Sequence, residues 1–294
     1  MNTRLLIIHA LSPVHCGTGQ AVGGIDLPIA REKPTGIPLI PGSSIKGVLR
    51  AKSHTNETLH LAVFGPDTEN ASDNAGSVQL SDANLVFLPV RSLRGTFAWV
   101  TSPYMLRRLA RDARASGIDL GALPPEPEEK DALVTGERLT AKAKEKTQVV
   151  FEDLDFTARQ DDTLKKLAEA FAKHLFEEAD RAHFVERVCV VNDDVMSLLL
   201  QTSTEITTRV KLNVDTKTVA DGQLWTEEAL PVESLLAGLI VASPVKQKKP
   251  GPMPEAQSLL DHVRDLVQSS AVQLGGKASV GRGLCRMRLA KKEG

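Results

Sequence analysis

The chain has 294 residues, 41% hydrophobic and 25% charged, enough to bury a substantial core and inconsistent with a disordered chain or a small stapled scaffold. Its formal net charge of −1 gives no whole-chain field that would gather nucleic acid, and it has no run of about 18 apolar residues to span a bilayer. Residues 1–10 lack the pattern of a secretory signal, and Cys16, Cys189 and Cys285 are odd in number and far apart. The expectation is a soluble, cytoplasmic protein with no membrane partner and reduced, buried thiols.

Residues 4–11 predict a buried strand, because Leu5 to Ile8 form an apolar run ended by Ser12 and Pro13. The glycines and prolines of residues 15–41 oppose both helix and continuous strand. Ser43 or Ser44 can then cap a helix reaching about His54, with Ile45, Val48 and Leu49 as its apolar face and Lys46, Arg50 and Lys52 opposite. Residues 78–90 and 95–101 read as strands, 102–115 as a helix, 124–129 as a loop, 147–156 as a strand and 161–179 as an amphipathic helix. Strand 184–191 and short helix 193–200 precede residues 205–225, whose Asn213, Asp215, Asp221 and Gly222 suit a projecting hairpin. A strand at 235–242, a helix at 255–267 and a closing strand at 284–289 complete an α+β pattern that fits an open split β-α-β arrangement with large insertions.

Charge is segregated along the chain. Residues 271–292 hold six basic side chains and no acidic one, whereas 126–194 are rich in Asp and Glu. Within the basic stretch Gly275, Gly276, Gly281 and Gly283 bracket Lys277 and Arg282. Two readings stand: a tight turn that ends the preceding helix, or a loop whose backbone N–H groups and cations grip phosphate. The loop has no Walker ending, and its helix-to-strand order is reversed for one. Pro41-Gly42-Ser43-Ser44 opens a helix that is either an ordinary capped helix or a second phosphate site. Asp26, in a glycine-rich loop, is either a turn former or a carboxylate that takes a proton or holds a metal ion; His15, after a buried strand, either assists it or is a packed or hydrogen-bonded histidine, and Glu227, after Trp225, reads as a solvated or helix-starting acid. At 4%, aromatics are too scarce for binding by base stacking, so the backbone is the expected target of any nucleic-acid contact.

Three stretches taken together are far more specific than any one of them. His15-Cys16-Gly17-Thr18-Gly19, Ile25-Asp26-Leu27-Pro28-Ile29-Ala30-Arg31-Glu32 and the run from Thr35 through Pro41-Gly42-Ser43-Ser44-Ile45-Lys46 to Arg50 resemble the amino-terminal signature of the RAMP superfamily of CRISPR proteins. The glycine loop 275–283 resembles its carboxy-terminal signature. The segment from Leu88 to Pro103 and the segment Val210-Lys211-Leu212-Asn213-Val214-Asp215 narrow the similarity to the repeated backbone subunit of type III-B (Cmr) effector complexes.

That resemblance implies a ferredoxin-like (RRM-like) palm from residues 1–118 and 235–294, an inserted region at 120–200 and a projecting β-hairpin thumb at 203–225, all in one RAMP domain. It implies as partners a guide CRISPR RNA, a target RNA, other Cmr effector subunits and further copies of the chain stacked head to tail. Asp26 then becomes the main catalytic residue of a divalent-metal-dependent endoribonuclease (Mg²⁺ or Mn²⁺) and a possible metal ligand, with His15 and Glu227 accessory. Ser43, Ser44, Lys46, Arg50 and Lys211 become RNA contacts, joined by Gly275, Gly276, Lys277, Gly281, Arg282 and Gly283. A scaffold that holds guide RNA and cuts nothing would differ only at Asp26, and a guide-processing endonuclease would not need the thumb. A nucleotide-binding enzyme of another class lacks a Walker or Rossmann fingerprint.

Overall fold

The computed structural model describes residues 2–19, 24–53, 56–66, 75–143, 146–212, 219–244, 254–268 and 270–291. β1 (Asn2–Ala10) forms where its apolar run predicts, with Leu6, Ile8 and Ala10 on one face and Leu5 and Ile7 on the other, all buried. After the irregular glycine- and proline-rich segment come β2 (Leu39–Ile40) and α1 (Gly42–Lys52), which buries Ile45 and Leu49. No serine caps α1: Pro41 occupies the cap, Ser43 and Ser44 lie inside the first turn, and the Gly42 N–H donates to the Asp82 carboxylate at 2.8 Å. His54, the expected end of that helix, lies outside the described residues.

α2 (Glu57–Phe64) has no counterpart among the sequence expectations; the Asn56 side chain caps it by accepting the Leu59 N–H at 3.1 Å. The single strand expected at 78–90 is two, β3 (Val78–Leu80) and β4 (Ala83–Arg91), while β5 (Phe97–Thr101) lies within its expected range and α3 (Pro103–Ala115) is capped by Ser102. The next region departs most from expectation. β6 (Asp131–Val134) is a short strand whose partners lie farther along the chain, β7 (Ala141–Ala143) is a short strand paired with the one that follows it, and the single strand expected at 147–156 is a hairpin of β8 (Lys146–Phe151) and β9 (Leu154–Gln160). Its turn is made by Glu152, at φ 51°, and Asp153, a pair without the glycine that marks such turns in sequence.

α4 (Asp162–Leu175) is capped by the Asp161 carboxylate on the Leu164 N–H at 2.7 Å and stops at Phe176, where the chain turns extended; α5 (Glu178–Val185) is a separate helix. Phe184 and Val185 therefore finish a helix, and β10 (Val188–Val191) is shorter than expected. α6 (Asp193–Thr202) leads to the hairpin of β11 (Glu205–Leu212) and β12 (Val219–Ala229). The stretch holding Asn213 and Asp215 lies outside the described residues. β13 (Leu235–Ala242), α7 (Ala256–Gln268), β14 (Val272–Gln273) and β15 (Leu284–Leu289) complete the chain.

Among the described residues 13 strands form one mixed sheet whose main path runs β14-β15-β1-β13-β4-β5-β10-β6-β9-β8-β7, while β11 and β12 pair only with each other. β1 is antiparallel to both β13 and β15, and β13 is antiparallel to β4. Residues of α1, α2 and α7 pack with one face of this sheet, and those of α3, α4 and α5 with the other, where Phe87, Trp99, Phe171 and Phe184 interlock. Each such fully buried apolar side chain contributes about 1.5–3 kcal/mol. The three cysteines are buried and free, and no helix among the described residues is long and apolar enough to cross a membrane.

Two glycines of α1 test this packing with opposite signs. A Cβ on Gly42 would run into the carbonyl oxygens of Leu80 and Ser81, whereas one on Gly47 would meet open space. Gly42→Ala is expected to destabilise by about 1–3 kcal/mol through overpacking. Gly47→Ala is expected to stabilise by about 1 kcal/mol through helix propensity. Urea unfolding of the two variants beside the parent reads both effects, and a stabilised Gly42→Ala would contradict the close approach of α1 to residues 80–82.

Candidate functional site

The site gathers at the foot of the β11–β12 hairpin. Residues 26–28 lie beside β12 as a short parallel addition: the Leu27 N–H donates to the Thr226 carbonyl and the Glu228 N–H to the Leu27 carbonyl, both at 3.0 Å. Asp26 is exposed, and its Oδ2 accepts from the Thr226 N–H at 2.7 Å and the Thr226 hydroxyl at 3.0 Å. The Thr226 backbone N–H, then its hydroxyl, hold the Asp26 carboxyl below the usual carboxylate range. Asp26 is therefore an anion at neutral pH, with Oδ1 left for a ligand.

Glu227 and Glu228 are consecutive on β12 and each is only 2% exposed. Facing opposite ways, as neighbours on a strand do, they hold different segments. Glu227 Oε1 accepts from the Trp225 indole N–H at 2.8 Å and pairs with Lys277 at 2.9 Å, while its Oε2 lies 3.4 Å from Arg209 and 4.0 Å from Arg282. Burial opposes its ionisation, but the indole N–H and the Lys277 ammonium overcome that and bring its pKa down to about 2. Glu228 Oε2 accepts the Ile29 N–H at 3.0 Å, and its Oε1 takes Arg31 at 2.5 Å and the Thr204 hydroxyl at 2.9 Å.

His15 is buried, and its Nδ1 donates to the Glu228 carbonyl at 2.7 Å, which agrees with a packed histidine after a buried strand. The glycine loop closes on the same segment. The Gly276 N–H donates to the His15 carbonyl at 2.9 Å and the Gly283 N–H to the Pro13 carbonyl at 2.8 Å. Gly275 (φ 77°) and Gly283 (φ 82°) have left-handed backbones, and a Cβ on either would strike the carbonyl of His15 or Leu274 respectively.

Asp26, His15, Lys277, Arg282 and the loop glycines therefore converge on β12 around Glu227, Asp26 through Thr226 and the loop through Glu227 and His15, although they come from both ends and the middle of the chain. Two expectations are corrected. Glu227 is neither solvated nor helix-starting; it is buried in β12 and turned onto cations. Arg282 is buried as well, with Nη2 on the Thr207 hydroxyl at 3.2 Å and Glu205 and Glu227 at 3.9 and 4.0 Å, so its side chain is turned onto the hairpin. The α1 residues form a separate group: Ser43 is exposed, Ser44, Lys46 and Arg50 are half-buried, and the acidic Asp82 stands at the helix end where a phosphate was expected. Lys211 is exposed on β11, and Gly281 faces open space at φ 79°. Thr226, Glu228, Arg31 and Thr204 escape sequence reasoning, because nothing in their spacing announces that residue 26 will lie beside residue 226. The repeated acid Glu227-Glu228 inside a strand is the one available signal.

The described residues hold no cluster of three or more His, Cys, Asp or Glu around a common point. Asp26 offers a single exposed carboxylate, a donor set that fits Mg²⁺ or Mn²⁺ bound largely through water and substrate phosphate, as Mg²⁺ is in many phosphate-handling sites.

Comparison with known proteins adds to this geometry. The family model of the RAMP superfamily matches residues 7–286. The chain is 34% identical over 299 residues to the CRISPR system Cmr endoribonuclease Cmr4 of Pyrococcus furiosus, covering 98% of this chain and 96% of the relative. It is 26% identical to the CRISPR system CMR subunit Cmr4 of Saccharolobus solfataricus, covering 96% and 94%. Among solved structures it resembles oligomeric Cmr4 from Pyrococcus furiosus, with a TM-score of 0.77, 27% identity and 100% of both chains covered.

The Glu227 ion pairs make stability depend on acid. Its folded pKa of about 2 lies below the ordinary value of 4.5, so the stabilisation is complete above 4.5 and is lost as pH falls towards 2. Glu227→Gln is expected to flatten the pH dependence of unfolding in that window and to cost about 1–3 kcal/mol at neutral pH. Denaturant unfolding at a series of pH values checks this, and parallel acid slopes for parent and variant would refute it.

Proposed function

The chain belongs to the RAMP superfamily, and from that premise we propose that it is the repeated backbone subunit of a type III-B CRISPR RNA-guided effector complex. In that role it binds guide RNA along the phosphate backbone and cuts complementary target RNA at regular intervals. The observation that carries this reading is that Asp26 is held by Thr226, 200 residues away, on the strand whose next residue, Glu227, pairs with Lys277 of the glycine loop, in a chain similar over nearly its whole length to a Cmr endoribonuclease.

The order β1, α1, β4, β13, α7, β15 with spatial order β15-β1-β13-β4 supports a ferredoxin-like palm built from residues 1–118 and 235–294. On this reading residues 120–200 are the inserted region, and the hairpin at 203–225 is the thumb that displaces one target nucleotide from the guide–target duplex. Head-to-tail copies along the guide, capped by other Cmr subunits in the cytoplasm, complete the assembly. The oligomeric Cmr4 similar to this chain supports that stacking.

A guide of arbitrary sequence has to be held through phosphates and 2′-OH groups. The glycine loop suits that task by letting phosphate approach its backbone closely, since its Gly276, Gly281 and Gly283 N–H groups are held by carbonyls of the fold, with Lys277 beside it and Ser43, Ser44, Lys46, Arg50 and Lys211 as outlying contacts. For cleavage, Asp26 Oδ1 positions or deprotonates the 2′-OH of the displaced nucleotide, whose in-line attack on the neighbouring phosphate breaks the chain. Thr226 keeps the carboxylate ionised and fixed. His15 stays within the frame that orients the loop, and Glu227 holds the loop's cations. Asp26 would hold a divalent ion, which when bound supplies positive charge for the scissile phosphate.

In a complex reconstituted with guide and matched target, Asp26→Asn is expected to slow cleavage by at least about 100-fold with assembly and target affinity unchanged. Cuts at the parent rate would leave the subunit a scaffold. A target carrying a 2′-deoxy substitution at the scissile nucleotide is expected to resist cutting there, and normal cutting would exclude the 2′-OH route.

A further inference from the structure

A regular parallel ladder beside β12 would place three rungs in succession: Leu27 N–H to the Thr226 carbonyl, Glu228 N–H to the Leu27 carbonyl, and Ile29 N–H to the Glu228 carbonyl. The first two are present and the third is diverted. The Ile29 N–H goes instead to the Glu228 side chain, and the Glu228 carbonyl takes the His15 ring. We propose that Glu228 is a positioning residue for Asp26: by standing in for its own backbone it locks the Asp26 loop and His15 together onto the hairpin foot, so the loop is in place only while the hairpin is seated. This rests on the assignment of Asp26 to target cleavage.

An ion pair kept only for stability would need Arg31 alone. Here the second carboxylate oxygen is spent on a backbone amide three residues from Asp26. The opposite side of the same segment is held by residues 16–18, through Ala30 N–H to the Cys16 carbonyl at 2.7 Å and Thr18 N–H to the Pro28 carbonyl at 3.3 Å. Glu228 is thus what closes the segment on its hairpin side beyond Leu27. Arg31 carries the connection onward, donating to the Leu200 carbonyl at the end of α6 and to Gly36, while Thr204, at the start of the hairpin, completes the carboxylate's partners. Movement of the hairpin base therefore moves the residues that hold Asp26.

The test uses Glu228→Gln, which keeps size and removes charge and one acceptor. In the full-length protein, amide hydrogen exchange over residues 24–31 is expected to speed up. In the reconstituted complex, single-turnover cleavage is expected to fall about 10- to 100-fold with target Kd and assembly unchanged, the signature of a displaced catalytic group. In an Asp26→Asn background the same change is expected to cost nothing further. Faster exchange with cleavage at the parent rate would overturn the proposal, as would an additional loss on top of Asp26→Asn. Should Glu228→Gln fail to assemble, Thr204→Val removes a single contact to the same carboxylate, and a smaller loss in the same direction is required. If Asp26→Asn alone leaves cleavage intact, the assignment of Asp26 has failed, and the exchange result still reports whether Glu228 orders the loop.

Discussion

Two adjacent buried carboxylates, Glu227 and Glu228, set the terms for everything around them. A buried charge is costly unless paired, and consecutive strand residues cannot share partners because they face opposite sides. Glu227 draws in Lys277 and the glycine loop; Glu228 draws in Arg31 and the Asp26 loop. With either segment missing, one carboxylate would stand buried and uncompensated. Segments from the beginning, middle and end of the chain are thus obliged to arrive together, and the site forms as a unit.

The hairpin foot is placed by the sheet. Beyond β12, Leu230 bridges to Val14, the Ala10 N–H donates to the Ser234 carbonyl and the Glu233 N–H to the Ala10 carbonyl, so the chain enters β13 alongside the end of β1. The Trp99 indole N–H donates to the Glu233 carbonyl at 2.8 Å, and the His9 ring meets the Glu233 carboxylate at 2.7 Å. These contacts tie the foot to the most densely aromatic part of the core. Ile206, opposite Glu228, and farther out Val210 and Leu224 leave apolar side chains in solvent, so the same hairpin is anchored at its base and exposed along its length.

Elements with long apolar periodicity were legible in the sequence: β1, α3, α4 and α7 follow from their own residues. What was not legible is what forms by pairing at a distance. β6 and β7 are too short to carry a period, and the β8–β9 turn uses Glu152 and Asp153 in place of glycine. The same limit governed the site. Asp26 and the glycine loop stood out by composition, but the register that sets Leu27 against Glu227 is a tertiary fact, and Thr226 and Glu228 acquire their parts only through it. Arg282 was misread for the converse reason: a basic residue in a glycine loop suggests solvent and phosphate, while Glu205, Thr207 and Glu227 turn it inward.

That inward turn bears on how, on the proposed reading, a neutral protein would hold a polyanion. Of the basic residues in 271–292, Lys277 and Arg282 share Glu227 with Arg209, so that carboxylate offsets part of the positive charge at the loop. Nucleic acid approaching it meets glycine backbone shaped by left-handed turns at Gly275, Gly281 and Gly283, with Lys277 as the half-exposed member of the cation group on that loop. The N–H groups of Gly276, Gly281 and Gly283 are spent on carbonyls of the fold, so what the loop would offer a phosphate is a close backbone approach beside Lys277, and a close approach requires a fixed backbone. Glu227 supplies that fixity from beneath the loop, as Glu228 does for Asp26 on the other side of the strand. The ion pairs that lower the loop's positive charge are thus the same ones that give it a defined shape.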